Sequence, residues 1–229
     1  MDLSRLERIR QMERSHFWFR GREALIEQLL LTRVAPPAEI VDLGCGTGRI
    51  AELLSQKGFR TLGVDLHPAP QCVQANIEQL PLEENSCDLA LLLDVLEHVD
   101  DQAALQEACR IVRPGGWVIL TVPAHAWLWS QRDEAAGHRR RYSRKMVQHL
   151  LQNASLEIEQ IGYFQCLLFP LFILSRLSSR ALPQTLEWEE QTDRPFLTQI
   201  SLFEARLARH LPLPFGSTLF AIGKKHATL

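Results

Sequence analysis

The stretch Val41-Asp42-Leu43-Gly44-Cys45-Gly46-Thr47-Gly48-Arg49 places three glycines at alternate positions directly after a short apolar run. Glycine has no Cβ, so the backbone can turn tightly there and a ligand can approach it closely. The first free N–H groups of a following helix point into the same crevice. The stretch therefore predicts a strand, a ligand-binding turn and a helix in succession. The alternative is an ordinary glycine-rich turn that binds nothing.

The spacing of the glycines distinguishes between two kinds of nucleotide ligand. The dinucleotide pattern GxGxxG needs a third glycine where this chain has Arg49, which argues against an NAD-dependent enzyme. Asp65 follows Gly44 by 21 residues and ends the second predicted strand. A carboxylate at that place can accept hydrogen bonds from both ribose hydroxyls of a nucleoside. The alternative for Asp65 is that it caps a turn.

Short apolar segments alternate with amphipathic ones between residues 38 and 163, which predicts an α/β fold whose parallel sheet carries helices on both faces. The predicted strands are Ile40–Leu43, Arg60–Asp65, Cys72–Asn76, Cys87–Leu93, Trp117–Val122, Leu156–Tyr163 and a last one at Ser217–Lys224. The predicted helices of this region are Arg49–Gln56, Gln102–Val112 and Arg144–Gln152. The link at 66–71 is short and rich in proline, so one helix of the doubly wound pattern is expected to be missing or reduced.

Four regions follow from these patterns. Residues 1–37 are expected to form an N-terminal helical lid that ends at Pro36 and Pro37, and residues 38–163 the core. Residues 164–215 contain five prolines and are expected to be an irregular, apolar and partly helical insertion. Residues 216–229 are expected to add the final strand to the core sheet.

The composition is that of a globular protein, with 46% hydrophobic and 23% charged residues and a formal net charge of −2. No overall basic field exists, which argues against nucleic-acid binding by charge. The five cysteines are odd in number and lack CxxC spacing, so we expect free thiols in the cytoplasm and no metal site. The first 22 residues are highly charged and do not resemble a signal peptide.

An apolar run at Cys166–Leu174 is interrupted by Pro170 and has nine residues. A membrane-spanning helix needs about 20 residues, so no span is predicted. The wider segment Phe164–Leu177 is nevertheless unusually apolar for a surface, and three alternatives stay open: a lid, a homodimer surface, or a peripheral membrane contact.

Several motifs, taken in order, resemble the class I S-adenosylmethionine-dependent methyltransferases, in particular the small-molecule branch of types 11 and 12. They are VDLGCGTG at 41–48, GVDL at 63–66, NIEQLP at 76–81, LDVLEH at 93–98 and RPGG at 113–116. The resemblance covers residues 38–163 and the final strand. It implies a Rossmann-like sheet of seven strands, six parallel and the last antiparallel, with S-adenosyl-L-methionine as the cofactor.

The resemblance also implies which residues bind that cofactor. They are Asp42 with the backbone of Gly44, Cys45 and Gly46 at the methionine end, Asp65 at the ribose, Leu66, Asn76 and Ile77 around the adenine, and Asp94 with Val95 under the sulfonium. The sequence departs from the family at Asn76, where an aspartate is usual. An asparagine side chain still offers a carbonyl oxygen as acceptor but carries no charge.

Candidate proton acceptors are His98, His125 and His138, because each follows the carboxyl end of a predicted strand or lies in a loop that does. For His98 the alternative is a capping or packing role. Candidate substrate residues come from the N-terminal aromatic segment and from the loop after the fifth strand, which resembles a GHxRRY element of similar chains: Trp18, Arg20, Asp133, Arg140, Arg141 and Tyr142. The alternatives are that the aromatic residues anchor the first helix and that the loop residues tie the loop to the core.

The methyl acceptor is expected to be a small molecule or a lipid-linked compound. Five cations within seven residues, from Arg139 to Lys145, favour an anionic group, and the segment Phe164–Leu177 favours an apolar one. The alternatives are that the cations form a solvated helix start and that the apolar run packs on the domain. The alternative function is a catalytically silent protein that binds S-adenosylmethionine or S-adenosylhomocysteine.

Overall fold

The computed structural model describes residues 9–67, 72–174, 194–208, 210–211 and 213–227. Its strands are β1 (Glu39–Leu43), β2 (Arg60–Asp65), β3 (Cys72–Gln74), β4 (Cys87–Leu93), β5 (Val112–Pro123), β6 (Leu156–Phe164) and β7 (Thr218–Lys225). Its main helices are α1 (Phe17–Leu30), α2 (Arg49–Gln56), α3 (Asp101–Ile111), α4 (Gln131–Ala136), α5 (Arg144–Asn153) and α6 (Pro195–Ala208). Residues 9–13 and 169–174 are also helical.

The strands form one sheet in the order β3-β2-β1-β4-β5-β7-β6. Strands β1 to β5 pair in parallel, whereas β7 runs antiparallel to both of its neighbours, β5 and β6. The predicted fold, with six strands parallel and the last antiparallel, is therefore confirmed.

The central strand β4 explains why the sheet is covered on both faces. Alternate side chains of a strand point to opposite faces. Leu89, Leu91 and Leu93 pack with the apolar residues of α1, α2 and α6 on one face. Ala90 and Leu92 pack with those of α3 and α5 on the other. Both faces of β4 are thus buried, as its continuous apolar sequence predicts.

Strand β5 starts earlier than predicted, at Val112 instead of Trp117. Residues 114–116, whose proline and glycines are typical of a turn, lie inside the strand, where the pairing of β5 with β4 jumps from Cys87↔Val112 to Leu89↔Trp117. A Cβ at position 116 would lie 2.7 Å from the carbonyl oxygen of Asp88, so only glycine fits this irregularity. Proline and glycine are typical of such interruptions in a ladder.

The predicted irregular insertion contains a regular helix, α6, which packs against α1. Pro195 occupies its first position, where the missing N–H costs no hydrogen bond. The two helices approach closely at Gly21, where a Cβ would lie 2.6 Å from Cβ of Ser201. The buried carboxylate of Glu204 accepts hydrogen bonds from the N–H groups of Cys166 (2.5 Å) and Leu167 (3.0 Å) and so ties α6 to the segment after β6. Residues 175–193 of the predicted insertion lie outside the described residues.

The connection from β2 to β3 spans only residues 66–71, so it cannot hold a crossover helix of ordinary length. Strand β3 is also two residues shorter than predicted and ends at Gln74. Helix α4 has only six residues and was not predicted. Among the helices that the structure describes, none combines the length and the apolarity needed to cross a membrane.

Candidate active site

A cavity of about 510 Å³ lies at the carboxyl ends of β1, β2 and β4. Its described lining comes from five short segments: 44–47 after β1, 65–67 at the end of β2, 93–99 after β4, 136–138 after α4, and parts of 9–22 at the N-terminus, with Ile77 in addition. Ligands of open parallel sheets bind in this position, outside the carboxyl ends of the strands.

The loop after β1 needs glycine for two different reasons. Gly44 and Gly46 have positive φ angles of 76° and 53°, which other residues rarely adopt. A Cβ on Gly44 would lie 2.3 Å from Cγ2 of Val95, so the absence of a side chain lets the segment after β4 pack against the loop. A Cβ on Gly46 would meet no described atom within 4 Å, because that side of the loop is open. Gly44 therefore serves packing, and Gly46 leaves room for a ligand.

Asp65 connects the glycine loop with the end of β2. One carboxylate oxygen accepts a hydrogen bond from the N–H of Gly46 and the other from the N–H of His67, both at 2.9 Å. Each carboxylate oxygen has a second lone pair, so both can also accept a hydroxyl donor. Two such acceptors side by side fit the vicinal hydroxyls of a ribose.

Asp42 is a buried carboxylate without a partner. It lies on β1 two residues before Gly44, outside the lining itself, and its side chain is 1% exposed. Neither oxygen has a hydrogen-bond partner among the described residues. Burial raises the pKa of Asp42 to about 7, with Arg22 acting in the opposite direction and Asp65 in the same one. An isolated buried charge is costly, so this site is suited to a ligand that brings a positive group.

Helix α1 contributes a wall of the cavity through Arg22. Its guanidinium donates to Asp94 at 2.7 Å, and the two side chains are only 12% and 16% exposed. The same guanidinium lies over the rings of Trp18 and Phe19, at 4.8 and 5.4 Å from their centroids. The ion pair and the ring contacts together hold α1 against the segment after β4.

The segment before α1 covers the glycine loop. The hydroxyl of Thr47 donates to the carboxylate of Glu13 at 2.5 Å, and both residues are buried. Burial raises the pKa of Glu13, against the effect of the Thr47 hydrogen bond. The predicted N-terminal lid agrees with this arrangement but stays a prediction.

The opposite wall of the cavity contains two imidazoles, and a buried glutamate outside the lining lies next to one of them. The His98 and His138 rings lie 4.8 Å apart and nearly perpendicular. His138 Nε2 lies 3.9 Å from one oxygen of Glu97, and its Nδ1 lies 3.0 Å from Asp133. The second oxygen of Glu97 has no partner among the described residues, and burial, followed by the charge of Asp94, raises its pKa well above the usual value.

Most of the predicted cofactor residues come together at the cavity. Those that line it are Gly44, Cys45, Gly46, Asp65, Leu66, Ile77, Asp94 and Val95. Asn76 is not part of the described lining. It is exposed, and its side-chain oxygen accepts from the N–H of Glu78 at 2.9 Å, forming a local turn.

The three candidate proton acceptors separate into two groups. His98 and His138 line the cavity, whereas His125 does not. The His125 ring stacks on Tyr163 at 5.3 Å and also contacts the rings of Trp127 and Phe169. Burial lowers the pKa of His125. The structure thus places His125 in an aromatic cluster beside the site.

Of the six predicted substrate residues, only Trp18 belongs to the described lining. Arg20 is exposed and lies 3.9 Å from Glu23. The other four predicted substrate residues tie the loop after the fifth strand to the core, which is the alternative given for them above. Arg140 pairs with Asp101 at 2.6 Å, Tyr142 donates to Asp101 at 2.9 Å, and the buried Arg141 donates to Asp133 at 2.8 Å and to the carbonyl of Ala124 at 3.1 Å.

Sequence reasoning missed several residues of the site: Glu13, Phe19, Arg22, Thr47 and Glu97. Arg22 and Asp94 are 72 positions apart, and no local pattern connects them. The available signal was indirect. An acidic residue directly after a buried strand needs a partner, and the N-terminal segment is the one rich in arginine.

Three comparisons with known proteins bear on this site. A family model described as a methyltransferase domain matches residues 10–161. A probable S-adenosylmethionine-dependent methyltransferase of Mycolicibacterium smegmatis is 29% identical over 164 residues, which cover 65% of this chain and 63% of the relative. A ubiquinone biosynthesis O-methyltransferase of Acinetobacter baumannii is 33% identical over 101 residues, which cover 36% of this chain and 43% of the relative. In both cases the match spans less than two thirds of the relative.

A solved structure shares the whole fold. It is a chain from the complex between the Haloferax volcanii Trm112 methyltransferase activator and a methyltransferase, with a TM-score of 0.64 and 21% identity. The match covers 99% of this chain and 96% of that one.

Proposed function

The chain belongs to the methyltransferase domain family, and from this premise we propose that it transfers a methyl group from S-adenosyl-L-methionine to a hydroxyl of a small acceptor with an apolar part. The observation that carries the proposal is the pair of carboxylates beside the glycine loop. Asp42 is buried and has no hydrogen-bond partner in the described part of the chain, and Asp65 presents two acceptor oxygens to the cavity.

The chemistry of these residues fits S-adenosylmethionine. We assign the ammonium of its methionine end to Asp42, whose unpaired charge such a group would balance. The ribose hydroxyls are assigned to Asp65, and the adenine to Leu66 and Ile77, which line the same end of the cavity. When bound, the cofactor supplies a methyl group activated by a sulfonium.

The remaining tasks fall to the chain. It must exclude water from the reacting atoms, align the acceptor and take up a proton. The wall formed by Trp18, Phe19 and the Arg22–Asp94 ion pair closes one side of the cavity against solvent. The wall formed by His98 and His138 is the place where the acceptor hydroxyl and its proton are handled.

The apolar part of the acceptor is inferred from exposed side chains on two segments, one of which shares an apolar cluster with Trp18 through Leu168. Trp127, Leu167 and Leu174 are 56%, 50% and 63% exposed, and Trp127 contacts Phe169, which in turn contacts Phe215. Exposed apolar clusters of this kind commonly mark a binding surface. One relative is a ubiquinone biosynthesis O-methyltransferase, which supports an oxygen atom as the methyl acceptor.

The cationic cluster supports an anionic acceptor less strongly than the sequence suggests, because two of its arginines are paired. Arg140 and Arg141 are neutralised by Asp101 and Asp133. The exposed cations of the cluster are reduced to Arg139, Arg144 and Lys145. An anionic group on the acceptor is therefore not part of the proposal.

Two measurements test the proposal in sequence. S-adenosylhomocysteine at about 100 times its Kd should raise the melting temperature, since it stabilises the fold by about 2.7 kcal/mol, and NAD should not. Methyl transfer from labelled S-adenosylmethionine is then measured with a prenylated phenol and with the same phenol without its chain. Faster transfer to the prenylated compound supports the proposal. Cofactor binding without transfer to either compound favours a silent binding protein instead.

A variant pair tests the apolar surface. Trp127→Ala combined with Leu167→Ala should raise the KM for the prenylated phenol and reduce co-sedimentation with vesicles. Leu31→Ala is the matched control, because Leu31 is also about half exposed, at 47%, and lies at the end of α1. Equal behaviour of the double variant and the control would contradict the apolar-acceptor part of the proposal.

A further inference from the structure

We propose that Glu97, His98 and His138 form a binding site for one divalent transition-metal ion at the wall of the cavity. Each residue offers one ligand atom, and these atoms all lie within 4.8 Å of one another. Two imidazoles and one carboxylate are a common ligand set for such ions. His98 and His138 also line the cavity, so an ion held by them would face the acceptor.

The hydrogen-bond partners of both imidazoles leave the Nε2 lone pair of each ring for an ion. The Nδ1 of His138 lies 3.0 Å from Asp133, and the Nδ1 of His98 lies 3.3 Å from the carbonyl oxygen of Gly137. Because a carboxylate and a carbonyl oxygen only accept hydrogen bonds, both Nδ1 atoms carry the proton. The lone pair is then on Nε2 in each ring. A carboxylate or carbonyl behind a ligating histidine is the usual support of a metal site.

Glu97 supplies the second, independent observation. Its side chain is 1% exposed, one oxygen lies 3.9 Å from His138 Nε2, and the other oxygen has no hydrogen-bond partner among the described residues. The two arginines whose charges act on Glu97 are already paired, Arg141 with Asp133 and Arg22 with Asp94. Neither arginine is thus committed to Glu97, and a bound cation would favour the ionised form of its carboxyl over the neutral form that burial favours.

The three ligand atoms would have to move only a short distance toward one another to bind an ion. Bonds of about 2.1 Å in a tetrahedral arrangement separate neighbouring ligand atoms by about 3.4 Å, so the group must contract by roughly 1 Å. His138 directly follows Gly137, which ends α4 at a φ of 76°, and the N–H of Arg139 donates to the Glu97 carbonyl at 2.8 Å. The loop that carries His138 is therefore already attached to the residue that it must approach.

Three protein ligands leave a coordination position for the acceptor. An acceptor hydroxyl bound there would lose its proton to water at lower pH, because the ion stabilises the resulting anion. The oxygen lone pair then forms the new bond to the methyl carbon, and the carbon–sulfur bond breaks with its electrons on sulfur. This role rests on the proposed function, whereas binding of the ion does not.

The test is a titration of the full chain, freed of metal with a chelator, with Co²⁺ and then Zn²⁺. We expect one equivalent of Co²⁺ to bind with the visible absorption of nitrogen and oxygen ligation and to be displaced by Zn²⁺. Glu97→Gln and His138→Gln should each weaken binding at least tenfold. His149→Gln is the matched control, because His149 is an exposed histidine on α5 outside this cluster, and should bind as the unaltered chain does.

Three outcomes would overturn the proposal: no binding, equal binding by the ligand variants and the control, or a thiolate-to-cobalt charge-transfer band, which would point to cysteine instead. The variants are shown to be folded if S-adenosylhomocysteine still raises their melting temperatures. The same measurement separates the two proposals. If S-adenosylhomocysteine does not raise the melting temperature of the unaltered chain, the methyltransferase site is contradicted and the metal site is not.

Discussion

Replacing Asp42 by asparagine should make the cofactor-free protein more stable and should lower its affinity for the cofactor. The carboxylate is buried, no residue that the structure describes hydrogen-bonds to it, and its pKa is raised from 3.8 to about 7. One pH unit of such a difference corresponds to about 1.4 kcal/mol, so holding the ionised form in the fold costs up to about 4 kcal/mol at pH 8. Asparagine has the same shape and carries no charge, and therefore avoids this cost.

The sign of the pH dependence follows from the same shift. Between pH 4 and 7 the unfolded chain has lost the Asp42 proton and the folded chain has kept it. The contribution of Asp42 to the free energy of unfolding therefore falls as the pH rises through this window and is constant above about 7. Asp42→Asn removes that fall. Below pH 4 aspartate is protonated in both states, so the two proteins should converge there.

The assay is denaturant unfolding of both proteins at several pH values, without ligand, followed by titration with S-adenosylhomocysteine at pH 8. We expect the variant to be more stable at pH 8 and to bind the ligand about ten- to a hundredfold more weakly, because a charge-assisted contact is worth about 1.5–3 kcal/mol. A variant that is less stable at pH 8, or a difference independent of pH, would refute the reasoning. Unchanged ligand affinity would show that Asp42 does not contact the ammonium.

Three further changes separate binding from folding. Asp65→Ala should weaken S-adenosylhomocysteine binding about ten- to a hundredfold, measured by calorimetry, and an unchanged Kd would contradict the ribose assignment. Gly46→Val should abolish that binding and lower the melting temperature through its positive φ alone, whereas Gly44→Val should lower the melting temperature further, since its side chain also meets Val95; equal melting temperatures would contradict the distinction. Glu204→Gln should cost about 1–3 kcal/mol of unfolding free energy, because the two N–H groups after β6 donate to different carboxylate oxygens and an amide NH2 group would replace one of these acceptors; a neutral result would contradict their role.

The sheet could be predicted because its signals are local. Strand β4 is a continuous apolar run, and the glycine loop marks the end of β1 within a few residues. The boundaries of β5 could not be predicted in the same way. Proline and two glycines are typical of a turn, and only the pairing with β4 shows that they form an irregularity inside a strand.

The residues of the site likewise fall into those with a local sequence signal and those without one. Gly46, Asp65 and Asp94 follow strand ends, and in a parallel sheet those ends meet at one edge. Glu13 and Arg22 reach the cavity from two helical segments that precede the sheet, and their partners are set by tertiary packing. No periodicity in the chain encodes such contacts.

The loop from Asp133 to Tyr142 shows a limit of a different kind. Its charged and aromatic residues have the composition of a substrate site, but Asp133 and Arg141 are buried and bonded to each other. A sequence does not distinguish a charge that waits for a ligand from one that already has a partner in the fold.

The insertion of β7 between β5 and β6 has a consequence for the order in which the protein folds during synthesis. Strands β1 to β5 are adjacent in the sheet and pair with one another without β6 or β7, so the half of the sheet that carries the glycine loop can assemble from residues 39–123. Strand β6 is an edge strand whose one neighbour in the sheet is β7, so it can join the sheet only after residues 218–225 have left the ribosome and β7 has paired with β5. The nucleotide half is expected to acquire protection from hydrogen exchange first, and the half next to β6 last.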